Sequence, residues 1–250
     1  FNSFYSLSPL DRSIQNGFRL VKNFSDKIDV NDDFNIRHIE RNFEDEIDVS
    51  DEVFEVYKSQ FDYPNAPLKV KTSEVKSPNP NYSIERFEMD PPYNSEEKLY
   101  GFIVSSKEFK NKLIPIIVFP SAGAIYSDNI VLDDYFLKDI KHLLDEGYSL
   151  IIPVYYNTHD REKILKSWWP NESEEYKNAI IKIGKDFKRV IDYLETREDL
   201  DKKNLSYMGY SWGSVTSNIL LAIDDRVKSA TLFVGGLMLQ KSRKEIESHL

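Results

Sequence analysis

From residue 113 onward, short apolar runs alternate with stretches of helical period, and this alternation constrains the fold more than any other feature of the chain. Residues 113–119 are a continuous apolar run of strand length, the pattern of a strand covered on both faces, and residues 148–154 read as a second buried strand. Between them, residues 131–144 predict a helix that Gly147 terminates. After Pro170 a long amphipathic helix is expected, with Asn171 and Glu174 at capping-box spacing. Tyr176, Ile180, Ile183, Phe187, Val190 and Leu194 form its buried stripe. A strand at 204–208, a helix carrying Val215, Ile219, Leu220 and Ile223, and a strand at 229–234 complete the series. Right-handed crossovers between parallel strands must lie across the sheet, so the fold class is α/β with a mostly parallel, doubly wound sheet. Upstream, residues 84–89 and 100–104 read as two antiparallel strands separated by a Pro-Pro-Tyr-Asn turn.

Within that series Gly209-Tyr210-Ser211-Trp212-Gly213 stands between an apolar run and a helix, the context in which G-x-S-x-G marks a serine nucleophile. A serine forced into a strained strand-to-helix turn needs neighbours without side chains, which accounts for a glycine two residues to either side. The turn lifts the Ser211 hydroxyl above the sheet and aims the first N–H groups of the next helix at developing negative charge. Acyl transfer through such a serine requires an oxyanion hole. Trp212 supplies one N–H, from the position after the nucleophile. For the second, Phe119-Pro120-Ser121-Ala122-Gly123-Ala124 leaves a buried strand and enters a loop of small residues. The Ala122 N–H is the expected donor and Ser121 the fallback, against the plainer reading of an ordinary tight turn. Each such donor is typically worth about 10²-fold to 10³-fold in rate.

The general base is harder to place. In this fold the triad runs serine, acid, histidine, and of the four histidines only His249 follows Ser211. His142 falls in a helix and His38 in an acidic stretch. His159 lies in a loop after a sheet strand beside Asp160, and reads as a substrate-pocket candidate or as a loop-packing residue. Trp168 and Trp169 could line an acyl pocket or pack on the following helix, and Tyr210 flanks the serine.

Charge and composition exclude other functions. Residues 26–56 hold twelve acids and three bases, which carry the whole net charge of −9. An acidic segment and a neutral body offer no footprint for nucleic acid. The acidic run lacks a D-x-[DN]-x-[DN]-G calcium loop and reads as a solvated linker. The absence of cysteine excludes disulfides, thiol catalysis and thiolate metal sites. No cofactor or metal is expected, and no apolar window has the length of a membrane span. Ser50 is expected to cap a helix of about ten residues whose apolar face is Val53, Phe54, Tyr57 and Phe61. Pro64, Pro67, Pro78 and Pro80 then keep the chain extended, which puts the main domain boundary near residue 63.

These residues resemble the α/β-hydrolase domain of certain bacterial multidomain proteins, some with a serine/threonine kinase, in which it follows a formylglycine-generating-enzyme-like (sulfatase-modifying factor) domain. Ser8-Pro9-Leu10-Asp11-Arg12 and Asn16-Gly17-Phe18-Arg19 resemble the closing segment of that upstream fold. Ser50-Asp51-Glu52-Val53-Phe54-Glu55-Val56-Tyr57 is similar to the connecting helix, and Gly235-Gly236-Leu237 also falls on a comparable motif. The resemblance implies a tail of the upstream domain at 1–24, an acidic linker and helix at 25–62, and a hydrolase domain at 63–250 that stops before its last strands. It implies Ser211 as nucleophile, Trp212 and the Ser121-Ala122 loop as oxyanion donors, and an acid and histidine beyond Leu250. Where the family tends to glycine in the oxyanion loop, this chain has Ser121. The expected activity is that of a serine esterase on a small-molecule ester or acyl substrate, with peptidase chemistry an option and residues 1–250 alone inactive. The competing expectation is a non-catalytic interaction or sensory module built on the same fold.

Overall fold

The computed structural model describes residues 49–93, 96–109, 111–171 and 173–235. The chain divides into two compact units, Phe1–Glu44 and Asp45–Leu250, and every described residue belongs to the second. The expected strand near residues 17–22, the tail at 1–24 and the linker up to residue 48 lie outside the described residues.

Seven strands form one sheet: β1 (Lys71–Val75), β2 (Tyr82–Met89), β3 (Leu99–Ser106), β4 (Ile114–Phe119), β5 (Tyr148–Val154), β6 (Ser206–Tyr210) and β7 (Ser229–Phe233). Their order is β1-β2-β3-β5-β4-β6-β7. The pairs β5-β4, β4-β6 and β6-β7 are parallel, whereas β1-β2, β2-β3 and β3-β5 are antiparallel. Five of the seven strands therefore run in one direction, and the sheet is mostly parallel as the alternation implies.

Helices cover both faces. On one, α3 (Asp134–Asp145) packs Leu137, Ile140 and Leu144 against Ile84, Val104 and Leu150. On the other, α4 (Glu174–Thr196) and α5 (Trp212–Ile223) bury Ile183, Phe187, Val190 and Leu220 against Ile103, Ile117 and Ile151. A short helix, α2 (Gly123–Tyr126), follows β4 directly. Ahead of the sheet, α1 (Asp51–Ser59) is capped by Ser50. Its Val53, Phe54 and Tyr57 stay exposed, and the buried member of the expected apolar face is Phe61, seated against Gly184 where α4 passes α5.

Several boundaries differ from the expectation; the strand expected at 204–208, for one, is found at Ser206–Tyr210 and runs into the turn. α3 starts three residues later than residue 131, because the Asp133 carboxylate accepts the Phe136 N–H at 2.9 Å. The cap of α4 is Ser173, whose hydroxyl accepts the Tyr176 N–H at 3.1 Å, while Asn171 accepts the Ser173 N–H one step upstream. β1 lies in the stretch read only as extended.

A buried ion pair anchors the chain after β5. Asp186 projects from the covered face of α4 and Arg161 from the loop, with 2.6 Å between their charged atoms and side chains 0% and 2% exposed. The Tyr156 N–H donates to the same carboxylate oxygen, and Arg161 also donates to the Val154 carbonyl and the Tyr93 hydroxyl. Burial raises the Asp186 carboxyl above its ordinary value, and the guanidinium works against that rise. Removing one partner strands the other charge in the interior. Asp186→Ala is expected to cost about 3 to 5 kcal/mol in urea denaturation. The double change Asp186→Leu with Arg161→Met is expected to cost less than either single loss, and additive losses would contradict the coupling.

Candidate active site

The parallel register of β4 with β6 pairs Phe119 with Gly209. Two residues beyond each of these lie Ser121 and Ser211, so the loop after β4 and the turn after β6 leave the sheet side by side. This is the carboxyl edge of the parallel strands, where open α/β sheets place their ligands.

Ser211 sits between β6 and α5 with φ 53° and ψ −104°. That conformation is uncommon for any residue with a side chain and costs on the order of 1–3 kcal/mol. It is held from three sides. The Ser211 N–H donates to the Phe233 carbonyl of β7 at 2.8 Å. The Ser214 hydroxyl, one turn into α5, lies 2.8 Å from both that carbonyl and the Gly209 carbonyl. The Tyr207 hydroxyl donates to the Gly213 carbonyl at 2.6 Å.

Both glycines of the turn are required by close approach. A β-carbon on Gly213 would stand 2.5 Å from the Phe119 carbonyl oxygen, and one on Gly209 would stand 2.7 Å from the Gly213 carbonyl carbon. Neither space can be opened without moving backbone.

Trp212 opens α5, and its N–H belongs to the first turn, whose donors have no partner within the helix. Its indole is fully buried, edge-on to Phe119 with ring centroids 5.2 Å apart, and Phe119 stacks on Tyr155 at 4.5 Å. Ser121 and Ala122 follow β4 as a turn that leads into α2. The Ser121 carbonyl accepts the Ala124 N–H at 3.1 Å and the Ala122 carbonyl accepts the Ile125 N–H at 3.0 Å. Tyr210, half-buried at the end of β6, leans on Phe233. Trp168 and Trp169 meet edge to face at 5.0 Å, and Trp168 also packs against the larger core.

His159 is 9% exposed and adopts φ 54°. Its N–H donates to the Ala124 carbonyl at 2.7 Å, and its Nδ1 faces the Asn129 carbonyl at 3.1 Å. The side chain is thus tied into the loop after β4. His142 is exposed on α3, whereas His38 and His249 lie outside the described residues.

Sequence reasoning missed Asp186, Arg161 and Asn157. Asn157, fully buried with φ 66°, accepts the N–H groups of Ile164 and Leu165 and closes the loop on itself. A signal for Asp186 did exist: it lies three residues after Ile183 and four before Val190, so a carboxylate occupies the apolar stripe of α4 and demands a buried partner. Among the described residues no group of three or more His, Cys, Asp or Glu could hold a metal ion, and no helix is long and apolar enough to cross a membrane.

A nucleophile-type turn at the carboxyl edge of a mostly parallel sheet, with helices on both faces, defines an α/β-hydrolase fold. Residues 101–249 match the model of the dienelactone hydrolase family, and the chain belongs to that family. No curated protein sequence matched. Among solved structures, the chain is similar to acetyl xylan esterase 1 from Thermoanaerobacterium sp. JW/SL YS485, with TM-score 0.57 and 12% identity over 78% of this chain and 62% of that one. It is also similar to the acetyl xylan esterase from Paenibacillus sp. R4, with TM-score 0.54 and 17% identity over 79% of this chain and 61% of that one. At such identities the likeness is one of fold. This chain spans a little over three fifths of those two proteins' lengths.

Two outcomes are expected from this geometry. Gly213→Ala drives a β-carbon into the Phe119 carbonyl, and thermal denaturation should show a loss of about 1–3 kcal/mol; an unchanged midpoint would count against the close approach. Burial holds the His159 imidazole below its ordinary 6.5, against the opposing pull of the Asn129 carbonyl and Asp160. Below that value the unfolded chain binds more protons than the folded one, so stability from this group is complete above pH 6.5 and is lost as pH falls through the folded value. His159→Asn should flatten that part of the stability profile relative to the parent.

Proposed function

We propose that the protein is a serine esterase acting on small-molecule carboxylic esters or acyl compounds. Ser211 attacks the acyl carbon, and the Trp212 and Ala122 N–H groups, with Ser121 as fallback, receive the oxyanion. The observation that carries this reading is the strained turn: φ 53° at Ser211, fixed by the Phe233 carbonyl and flanked by two glycines that tolerate no side chain. Membership of the dienelactone hydrolase family and the fold shared with acetyl xylan esterases support the same chemistry. Tyr210, Trp168 and Trp169 are assigned to the substrate side. The acid and histidine of the serine-acid-histidine order of this fold are assigned to no described residue.

A non-catalytic docking or sensory module is the second reading. What favours it is that, among the described residues, no hydrogen bond joins the Ser211 hydroxyl to a histidine: His142 is exposed on α3, and His159 turns its Nδ1 to the Asn129 carbonyl. The upstream sulfatase-modifying-factor-like tail at 1–24, and the covalently joined domain it implies, rest on the resemblance of Ser8–Arg12 and Asn16–Arg19 alone; the family match begins at residue 101 and does not reach them.

The test is active-site labelling of the intact protein with a fluorophosphonate probe, together with hydrolysis of p-nitrophenyl acetate. Labelling and turnover that both vanish in Ser211→Ala are expected. Labelling that survives the substitution would sink the nucleophile assignment, and a wild-type protein that neither labels nor turns over would favour the docking module.

A further inference from the structure

The loop after β5 is unusual in being both strained and buried. Residues 153–159 are all buried, and two of them, Asn157 and His159, have left-handed backbone with φ 66° and 54°. Strain of this kind persists only where surrounding contacts over-determine it. Here the loop is gripped from below by the Asp186–Arg161 pair and the Tyr156 N–H, and closed on itself by Asn157. Residues 155–159 make two bonds to the neighbouring loop, and both come from His159. The backbone N–H reaches the Ala124 carbonyl in the middle of α2, and Nδ1 reaches the Asn129 carbonyl five residues later. Farther along, Lys163 Nζ donates to the Ser127 carbonyl at 3.1 Å and pairs with Asp128, and the Lys166 carbonyl accepts the Tyr126 hydroxyl at 3.4 Å.

We propose that His159 is a positioning residue for the oxyanion loop: its left-handed backbone and its imidazole together fix residues 121–129 against the anchored loop after β5. The proposal rests on the serine-esterase reading above. α2 begins at the residue after Ala122, and the Ser121 and Ala122 carbonyls are committed to its first turn, so the direction of the Ala122 N–H follows the placement of α2. An N–H donor stabilises the oxyanion only when aimed at the position the charged oxygen will occupy. A displacement of about 1 Å can cost on the order of 10²-fold in rate. Because Nδ1 meets a carbonyl, the ring donates there in its neutral Nδ1–H form and as the cation alike. The imidazole is therefore held as a strut in either charge state.

Two variants separate this role from the alternatives. His159→Gly keeps the N–H bond to Ala124 and relieves the left-handed strain while removing the tie to Asn129. His159→Asn accepts the same backbone and offers a side-chain amide donor. With p-nitrophenyl acetate as substrate and active sites counted by fluorophosphonate titration, His159→Gly is expected to lower kcat about 10-fold to 100-fold with KM unchanged. His159→Asn is expected to recover most of that loss, and the pH limb of kcat should persist in both. Wild-type kcat in His159→Gly would overturn the proposal and leave a packing residue. A raised KM with kcat intact would make His159 a substrate contact. A loss of about 10⁴-fold together with disappearance of the pH limb would make it the base. Ser211→Ala run in parallel keeps the two readings apart: turnover surviving there removes the nucleophile assignment, whereas wild-type turnover in His159→Gly beside a dead Ser211→Ala removes only the strut.

Discussion

The carbonyl of Phe119 occupies the space that a β-carbon on residue 213 would need, and the candidate site depends on that contact. It lets the first turn of α5 rest on the end of β4 rather than beside it. The parallel pairing of Phe119 with Gly209 then leaves the next residues of both strands to diverge from adjacent points. One becomes the Ser211 turn and the other the Ser121-Ala122 turn. A larger residue at 213 would push α5 outward, and the first-turn N–H groups of α5 would no longer lie beside the loop after β4. The buried aromatic set of Tyr155, Phe119 and Trp212 fills the volume beneath, so the floor of the site is continuous with the larger core.

The buried strands were legible in the sequence because both of their faces are covered: residues 114–119 and 148–154 have almost no polar side chain to interrupt the run. β1 was not, since Lys71-Thr72-Ser73-Glu74-Val75 is an exposed edge strand whose charges protect a free edge and carry no alternation. Helix bodies were legible from their stripes, and helix starts were less so. Asn171 and Ser173 are both good caps, and the choice between them falls to Ser173 because Asn171 instead accepts the Ser173 N–H. In the same way Val131 continues the apolar period of α3 yet stays exposed, because Asp133 caps the helix after it.

Of the candidate site, the serine and its two glycines were readable because sterics at a sharp turn restrict residue type directly. The small-residue loop at 121–124 was readable for a similar reason. The ties of His159 were not, because they join carbonyls 35 and 30 residues away, and a carbonyl leaves no mark on residue type. His159 and Asp160 are neighbours in the chain yet do separate things: the first turns toward Asn129, and the second accepts the hydroxyl of Tyr100 on β3. Adjacent positions in a chain do not orient one another, and at 159–160 the two side chains turn to different partners.

Backbone strain is distributed unevenly. Five non-glycine residues among those described have positive φ: Lys69, Asn157, His159, Ser211 and Val234. Four of them lie just beyond the carboxyl ends of β5, β6 and β7, and only Lys69 lies elsewhere. Val234 is the costliest type of residue to hold there, being β-branched. The opposing contributions sit close by. The Phe233 carbonyl takes the Ser211 N–H, the Asn157 amide takes two backbone donors, and the Asp186–Arg161 pair fixes the loop from inside. An edge built this way is fixed before any ligand arrives, and donors that need no reorganisation are those that favour a developing charge over a neutral ground state. The energy stored in three turns at one edge of the sheet, and offset by bonds that fix direction, is therefore the physical form that preorganisation takes in this fold.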